Sequence, residues 1–67
     1  MDFGKKKLGR FYKARELADL LGVERVVIYG FARSGALPAY RIGPRRLRFR
    51  AADVDRFLAA RRVQPGE

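Results

Sequence analysis

Three residues, Gly22, Val23 and Glu24, are all that separates two stretches whose apolar side chains recur at helical spacing, and no other feature constrains the fold as strongly. In the first stretch Ala14, Leu17, Ala18, Leu20 and Leu21 follow the helical period, and Gly22 stands where a glycine ends a helix by turning left-handed. Glu16 occupies the acidic position of a capping box, although Lys13 is a poor N-cap. The second stretch sets Ile28, Phe31 and Ala32 on one face. It stops at Ser34-Gly35, and Pro38 blocks continuation. The spacing predicts two short amphipathic helices joined by a tight glycine turn.

From Ala39 the period changes to two. Tyr40 and Ile42 alternate with Arg41, then Leu47 and Phe49 alternate with Arg48 and Arg50, with the turn residues Gly43-Pro44-Arg45-Arg46 between them. This predicts a β-hairpin with an apolar inner face and an arginine outer face. Ala52-Asp53 then opens a last helix, with Val54, Phe57, Leu58 and Arg61 at i, i+3, i+4 and i+7, acids near its start, and arginines near its end. Pro65-Gly66 closes it. The expected core is Phe11, Tyr12, Leu17, Leu20, Leu21, Ile28, Phe31, Tyr40, Ile42, Leu47, Phe49, Val54, Phe57 and Leu58. The fold class is mainly α with a small antiparallel β-hairpin. Residues 1–10 read as a flexible basic arm, 11–63 as the folded domain and 64–67 as a tail.

Size and composition exclude several functions. Sixty-seven residues make one module with little depth for a substrate pocket. Without Cys or His there are no thiol nucleophiles, disulfides or usual zinc ligands, and the commonest acid/base catalyst is missing. Glu16, Asp19, Asp53 and Asp55 read as surface and helix-end carboxylates without a catalytic partner, so the chain is expected to be no enzyme and to need no cofactor. No uninterrupted apolar run exceeds four residues, and no apolar segment follows the N-terminal lysines. Neither a membrane span nor a secretory signal is expected, which favours a cytoplasmic, nucleoid-associated setting.

The net charge of +9 points to a polyanion, and its distribution is more informative than its size. Residues 1–13 carry Lys5, Lys6, Lys7, Arg10 and Lys13 against Asp2 alone, and residues 41–50 carry Arg41, Arg45, Arg46, Arg48 and Arg50 with no acid. The remaining segments are balanced. A helix-turn-helix followed by a basic hairpin suits duplex DNA. The second helix fits the major groove, and the hairpin lies beside it as a wing. Guanidinium forks to phosphate oxygens, which marks Arg41, Arg45, Arg46 and Arg48 for phosphate or minor-groove contact. Lys5, Lys6 and Lys7 add a basic arm. Arg50 and Arg48 have an alternative use in covering apolar surface or the start of the last helix.

The residues Glu16-Leu17-Ala18-x-Leu20-Leu21-Gly22-Val23, Ile28-Tyr29, Arg33-Ser34-Gly35-x-Leu37-Pro38-Ala39-Tyr40-Arg41-Ile42-Gly43 and Arg46-Leu47-Arg48-Phe49 resemble the excisionase-type branch of the MerR-like winged helix-turn-helix domains. These are small bacterial and phage DNA-binding proteins, and the resemblance covers roughly residues 11–60. It implies two helices, a two-stranded wing and a closing helix. It further implies a role as recombination directionality factor or small transcription regulator. The partners would be double-stranded DNA, further copies of the chain as a dimer or cooperative array, and a recombinase or other protein. The family's DNA-facing positions fall here on Glu24, Arg25, Val26, Val27, Tyr29, Gly30 and Arg33 of the helix and on Arg41, Gly43, Arg45 and Arg46 of the wing.

Where the family usually has small polar residues, this chain has Glu24, Val26 and Val27; it has Gly30 at a usually basic position and Lys13 in place of a threonine N-cap. Such a helix has few groups for bidentate base contacts. Val26 and Val27 suit thymine methyls, Glu24 suits a cytosine amino group, and Gly30 permits close backbone approach. The alternative is that Val26, Val27 and Tyr29 form a protein-binding patch of an adaptor or inhibitor.

Overall fold

The computed structural model describes residues 9–66, so Lys5, Lys6 and Lys7 lie outside the described residues. The element order is β1 (Phe11–Lys13), α1 (Ala14–Leu21), α2 (Arg25–Ser34), β2 (Tyr40–Gly43), β3 (Arg46–Arg50) and α3 (Ala51–Ala60). Helix α1 begins on half a capping box, in which the Glu16 carboxylate accepts from the Lys13 backbone N–H at 2.8 Å while the Lys13 side chain has nothing to accept with. It ends on Gly22 at φ +70°. There the N–H of Val23 donates to the Ala18 carbonyl at 3.0 Å and that of Gly22 to Asp19 at 3.3 Å, the paired closure of a Schellman motif. The chain is thereby turned within the expected three residues into α2. At the far end of α2, Gly35 takes φ +84°. The Ser34 hydroxyl donates to the Phe31 carbonyl at 3.1 Å and accepts from the Ala36 N–H at 3.3 Å.

The hairpin is present, but it belongs to a three-stranded antiparallel sheet in the order β1-β3-β2. Phe11 and Tyr12, expected only to pack on the core, and Lys13, read only as a poor N-cap, pair with Arg50, Phe49 and Arg48. Three residues beside a lysine-rich arm carry too short an alternation to read as a strand. Their partner strand creates them. From the end of the same arm the Arg10 carbonyl accepts from the Ala51 N–H at 2.8 Å and so anchors the start of α3.

The expected division of the hairpin into one apolar and one arginine face is corrected by the register. Tyr40 lies opposite Arg48 and Arg41 opposite Leu47, and an irregularity follows between Arg41 and Gly43. Directly opposed residues share a sheet face. Arg41 therefore lies with Leu47, Phe49 and Tyr12 on the helix side, whereas Tyr40 lies with Arg48, Lys13, Arg50 and Phe11 on the other. The Tyr40 ring meets Phe11 edge-on, with centroids 6.1 Å apart. Ile42, caught in the irregularity, is 63% exposed instead of buried.

The core consists of Ala14, Leu17 and Ala18 from α1, Ile28 from α2, Leu37 from the following loop, Phe49 from β3, and Val54 and Phe57 from α3. Tyr12, Leu21, Phe31, Ala32, Ala39 and Leu47 pack around it half-buried. Each fully buried aliphatic or aromatic side chain here contributes about 1.5–3 kcal/mol of transfer free energy. Leu20 and Leu58 are corrections, along with Ile42 and Tyr40. Leu20 is 64% exposed because its direction is about 115° from the centre of the buried α1 stripe. Leu58 is similarly displaced, by about 90°, from the Asp53–Val54–Phe57 face of α3 and is also exposed. Leu37, between two turn signals, is fully buried under α2. Helix α3 opens one residue before the expected Ala52 and ends at Ala60, well before Pro65. Just past its end the Arg61 guanidinium stacks 4.4 Å from the Phe57 ring centroid and 5.0 Å from that of Phe31, bridging α2 and α3.

Candidate nucleic-acid interface

Burial of Ile28 settles which way α2 faces. At about 100° per residue, the direction opposite Ile28 is occupied by Val26, Gly30 and Arg33, one above another along the helix. All three are exposed, Val26 to 71%. Tyr29, 41% exposed, turns toward the wing, and Val27, 37% exposed, turns away from it. Arg25 is exposed at the first position of the helix. Glu24 is the N-cap in extended conformation, but its side chain makes no cap hydrogen bond. That leaves an exposed carboxylate at the N-terminal end of α2.

Between α2 and the wing runs a shallow groove of about 430 Å³ lined by Tyr29, Ala32, Arg33, Ala39, Arg41 and Leu47. The groove brings together three of the residues marked from sequence. Arg33 comes from the helix, Arg41 from the strand and Tyr29 from the rim, over a floor of Ala32, Ala39 and Leu47. Arg41 reaches it only because it opposes Leu47 and so faces the helices. The floor residues carried no functional signal in the sequence, since they are apolar side chains half-buried against the core.

The wing tip is the two-residue link Pro44-Arg45 between paired Gly43 and Arg46. Proline at the first central position and a left-handed residue at the second is the pattern of a type II turn, and Arg45 takes that second position at φ +67°. Glycine or asparagine is the usual occupant, so an arginine there carries backbone strain on the order of 1–2 kcal/mol. Arg45 and Arg46 are exposed. Gly43, half-buried, is packed against the Arg46 side chain, where an added Cβ would lie 3.8 Å from Cδ. Arg48 stands apart from this group. It is half-buried on the face of the sheet away from α2, and its guanidinium donates to the Leu47 carbonyl at 2.9 Å. Arg50, on the same face, is the N-cap residue of α3 and half-buried. Lys5, Lys6 and Lys7 are outside the described residues.

Asp53 is a further correction, being a 5% exposed residue and no surface carboxylate. It accepts from the Tyr40 hydroxyl at 3.0 Å and from Arg56 Nη2 at 2.8 Å, and it lies in the first turn of α3, where the helix dipole favours a negative charge. The base of the wing is thus tied to the closing helix. An alternating Tyr and a helix-start Asp gave no hint of each other across 13 residues. Among the described residues, Arg56–Asp53 is the only ion pair, so the arginines of α2 and the wing have no internal counter-charge.

Two helices closed on a glycine turn, with a basic hairpin beside the second, define the winged helix-turn-helix class, which binds DNA. Residues 11–62 match the family described as helix-turn-helix domain, and the chain belongs to this excisionase-like family. No curated protein and no solved structure matches the chain. Among the described residues no helix is long and apolar enough to cross a membrane.

Proposed function

We propose that this chain is a small double-stranded-DNA-binding protein, acting as an excisionase-like recombination directionality factor or as a small transcription regulator. Helix α2 enters the major groove, while the wing meets the phosphates or the adjacent minor groove. One observation carries the reading: Arg33 and Arg41 line the same groove between helix and wing, and neither has an acidic partner among the described residues. Charge placed this way is satisfied by an external polyanion. Ten residues of α2 span about 15 Å, a length that fits along the major groove.

Arg25, Arg33, Arg41, Arg45 and Arg46 are the phosphate-directed groups, and Lys5, Lys6 and Lys7 extend the same function from the arm. A single module of this size covers on the order of 600–1,000 Å² of its own surface on DNA. Selective binding then calls for further copies, as a dimer or a side-by-side array, or for a recombinase or other protein partner.

The test is fluorescence anisotropy with a labelled duplex over a series of salt concentrations. Affinity is expected to fall with a log–log slope of about −4.5 for the five arginines alone, reaching about −7 when the three lysines of the arm also engage. The Arg41→Ala/Arg45→Ala/Arg46→Ala variant should flatten that slope by nearly 3 units, at about 0.9 per contact removed. A folded triple variant with the parent's affinity and slope would refute the wing assignment. Absence of duplex binding by the parent even at low salt would refute the DNA reading.

A further inference from the structure

The outward ridge of α2 has a chemistry that phosphate binding does not use. Val26 stands 71% exposed at its start, with Val27, 37% exposed, on the flank beside it, and valine is a comparatively poor helix former that neither the buried core nor its half-buried rim includes here. Gly30 follows Val26 on the same ridge. An added Cβ there would meet nothing within 4 Å, and its backbone is not left-handed, so neither packing nor conformation requires a glycine. In a helix interior glycine costs about 1 kcal/mol relative to alanine. What the glycine does supply is a low point in the ridge, which lets the valine end approach a surface closely while Arg33, one turn further on, reaches past it.

The valine surface has no hydrogen-bonding group, so in the major groove it can recognise only an apolar feature. That groove offers one such feature, the methyl group at C5 of a pyrimidine. We propose that Val26 and Val27 read C5-methyl groups, so that thymine is recognised through its methyl and methylation of cytosine at C5 strengthens binding. The inference rests on the DNA reading above, because the wing and Arg33 supply the charge that brings α2 into the groove.

The experiment uses the full chain and one random-sequence duplex library, synthesised in three forms: with ordinary nucleotides, with uracil in place of thymine, and with 5-methylcytosine in place of cytosine. Each form is enriched once on the protein, and its affinity is then measured by anisotropy at a fixed salt concentration. One buried methyl is worth about a fourfold change in affinity, so the uracil form should bind about fourfold more weakly per methyl contacted or the methylcytosine form about fourfold more tightly. Either response should disappear in the Val26→Ala/Val27→Ala variant. Both sites are exposed and alanine favours helix, so this variant should keep its fold and its salt slope.

Equal binding of all three forms would overturn the proposal. A response that persists in the double variant would also overturn it, since the difference would then lie in the stiffness or groove shape of the modified DNA. Failure of every form to bind would instead remove the DNA reading itself.

Discussion

Replacing Asp53 by alanine tests whether the wing is held by the closing helix. The carboxylate is buried, with the Tyr40 hydroxyl at 3.0 Å and Arg56 at 2.8 Å. A hydrogen bond to a charged group contributes about 1.5–3 kcal/mol. The pair with Arg56 contributes no more than about 1 kcal/mol, because that side chain is 73% exposed and screened by solvent. The charge at the start of α3 contributes about 0.3–1 kcal/mol through the helix dipole. Asp53→Ala should therefore destabilise by roughly 2–4 kcal/mol, a large part of the ~3–5 kcal/mol expected for a domain this small. Urea denaturation followed by far-UV circular dichroism measures the loss. A double-mutant cycle with Tyr40→Phe isolates the tie, and a coupling of at least ~1 kcal/mol is expected. Asp55→Ala, at an exposed site in the same helix, should cost less than about 0.5 kcal/mol. The reasoning fails if Asp53→Ala stays within about 0.5 kcal/mol of the parent, or if the cycle is additive within about 0.3 kcal/mol. Additivity would reduce Asp53 to a helix-dipole residue with no grip on the wing.

Other substitutions separate stability from binding. Arg45→Gly relieves ~1–2 kcal/mol of left-handed strain and loosens the unfolded chain by only ~0.4–1 kcal/mol, so stability to urea should rise by about 0.5–1 kcal/mol although DNA affinity falls. Arg46→Gly, within β3, should lower both. Gly22→Ala meets no steric obstacle at φ +70° but forces alanine into the left-handed region; a loss of about 1 kcal/mol is expected, seen as a melting temperature lower by roughly 4–8 °C. Arg41→Ala should flatten the salt dependence of DNA binding by about 0.9, whereas Arg48→Ala, on the other sheet face, should leave the slope within about 0.3 of the parent. Equal slope changes for the two would mean that both faces of the wing meet DNA.

Local features made much of the architecture legible from residue order. The helical period from Ala14 to Leu21, Gly22 as a left-handed stop, the Ser34-Gly35 end of α2 and the switch to period two after Ala39 each act within a few neighbours, so each survives into the fold. The candidate site was legible as a list of charges, since a run of arginines without acids is visible in any conformation. Its geometry was not. Alternation tells which residues of one strand share a face, but it cannot tell which face of one strand adjoins which face of the next, and the irregularity between Arg41 and Gly43 breaks the simple extrapolation.

The sequence by itself determined the helix pair, its turn, the hairpin and the excess of positive charge, because these depend on backbone preferences and spacing at short range. Only the tertiary structure decided that Arg41 joins Arg33 and Tyr29 at one groove while Arg48 turns away. Pairing across the sheet also made Phe11–Lys13 a strand, and packing of α3 brought Asp53 to Tyr40. Those outcomes depend on register and on burial by distant segments, which bring together residues that have no short-range relation along the chain.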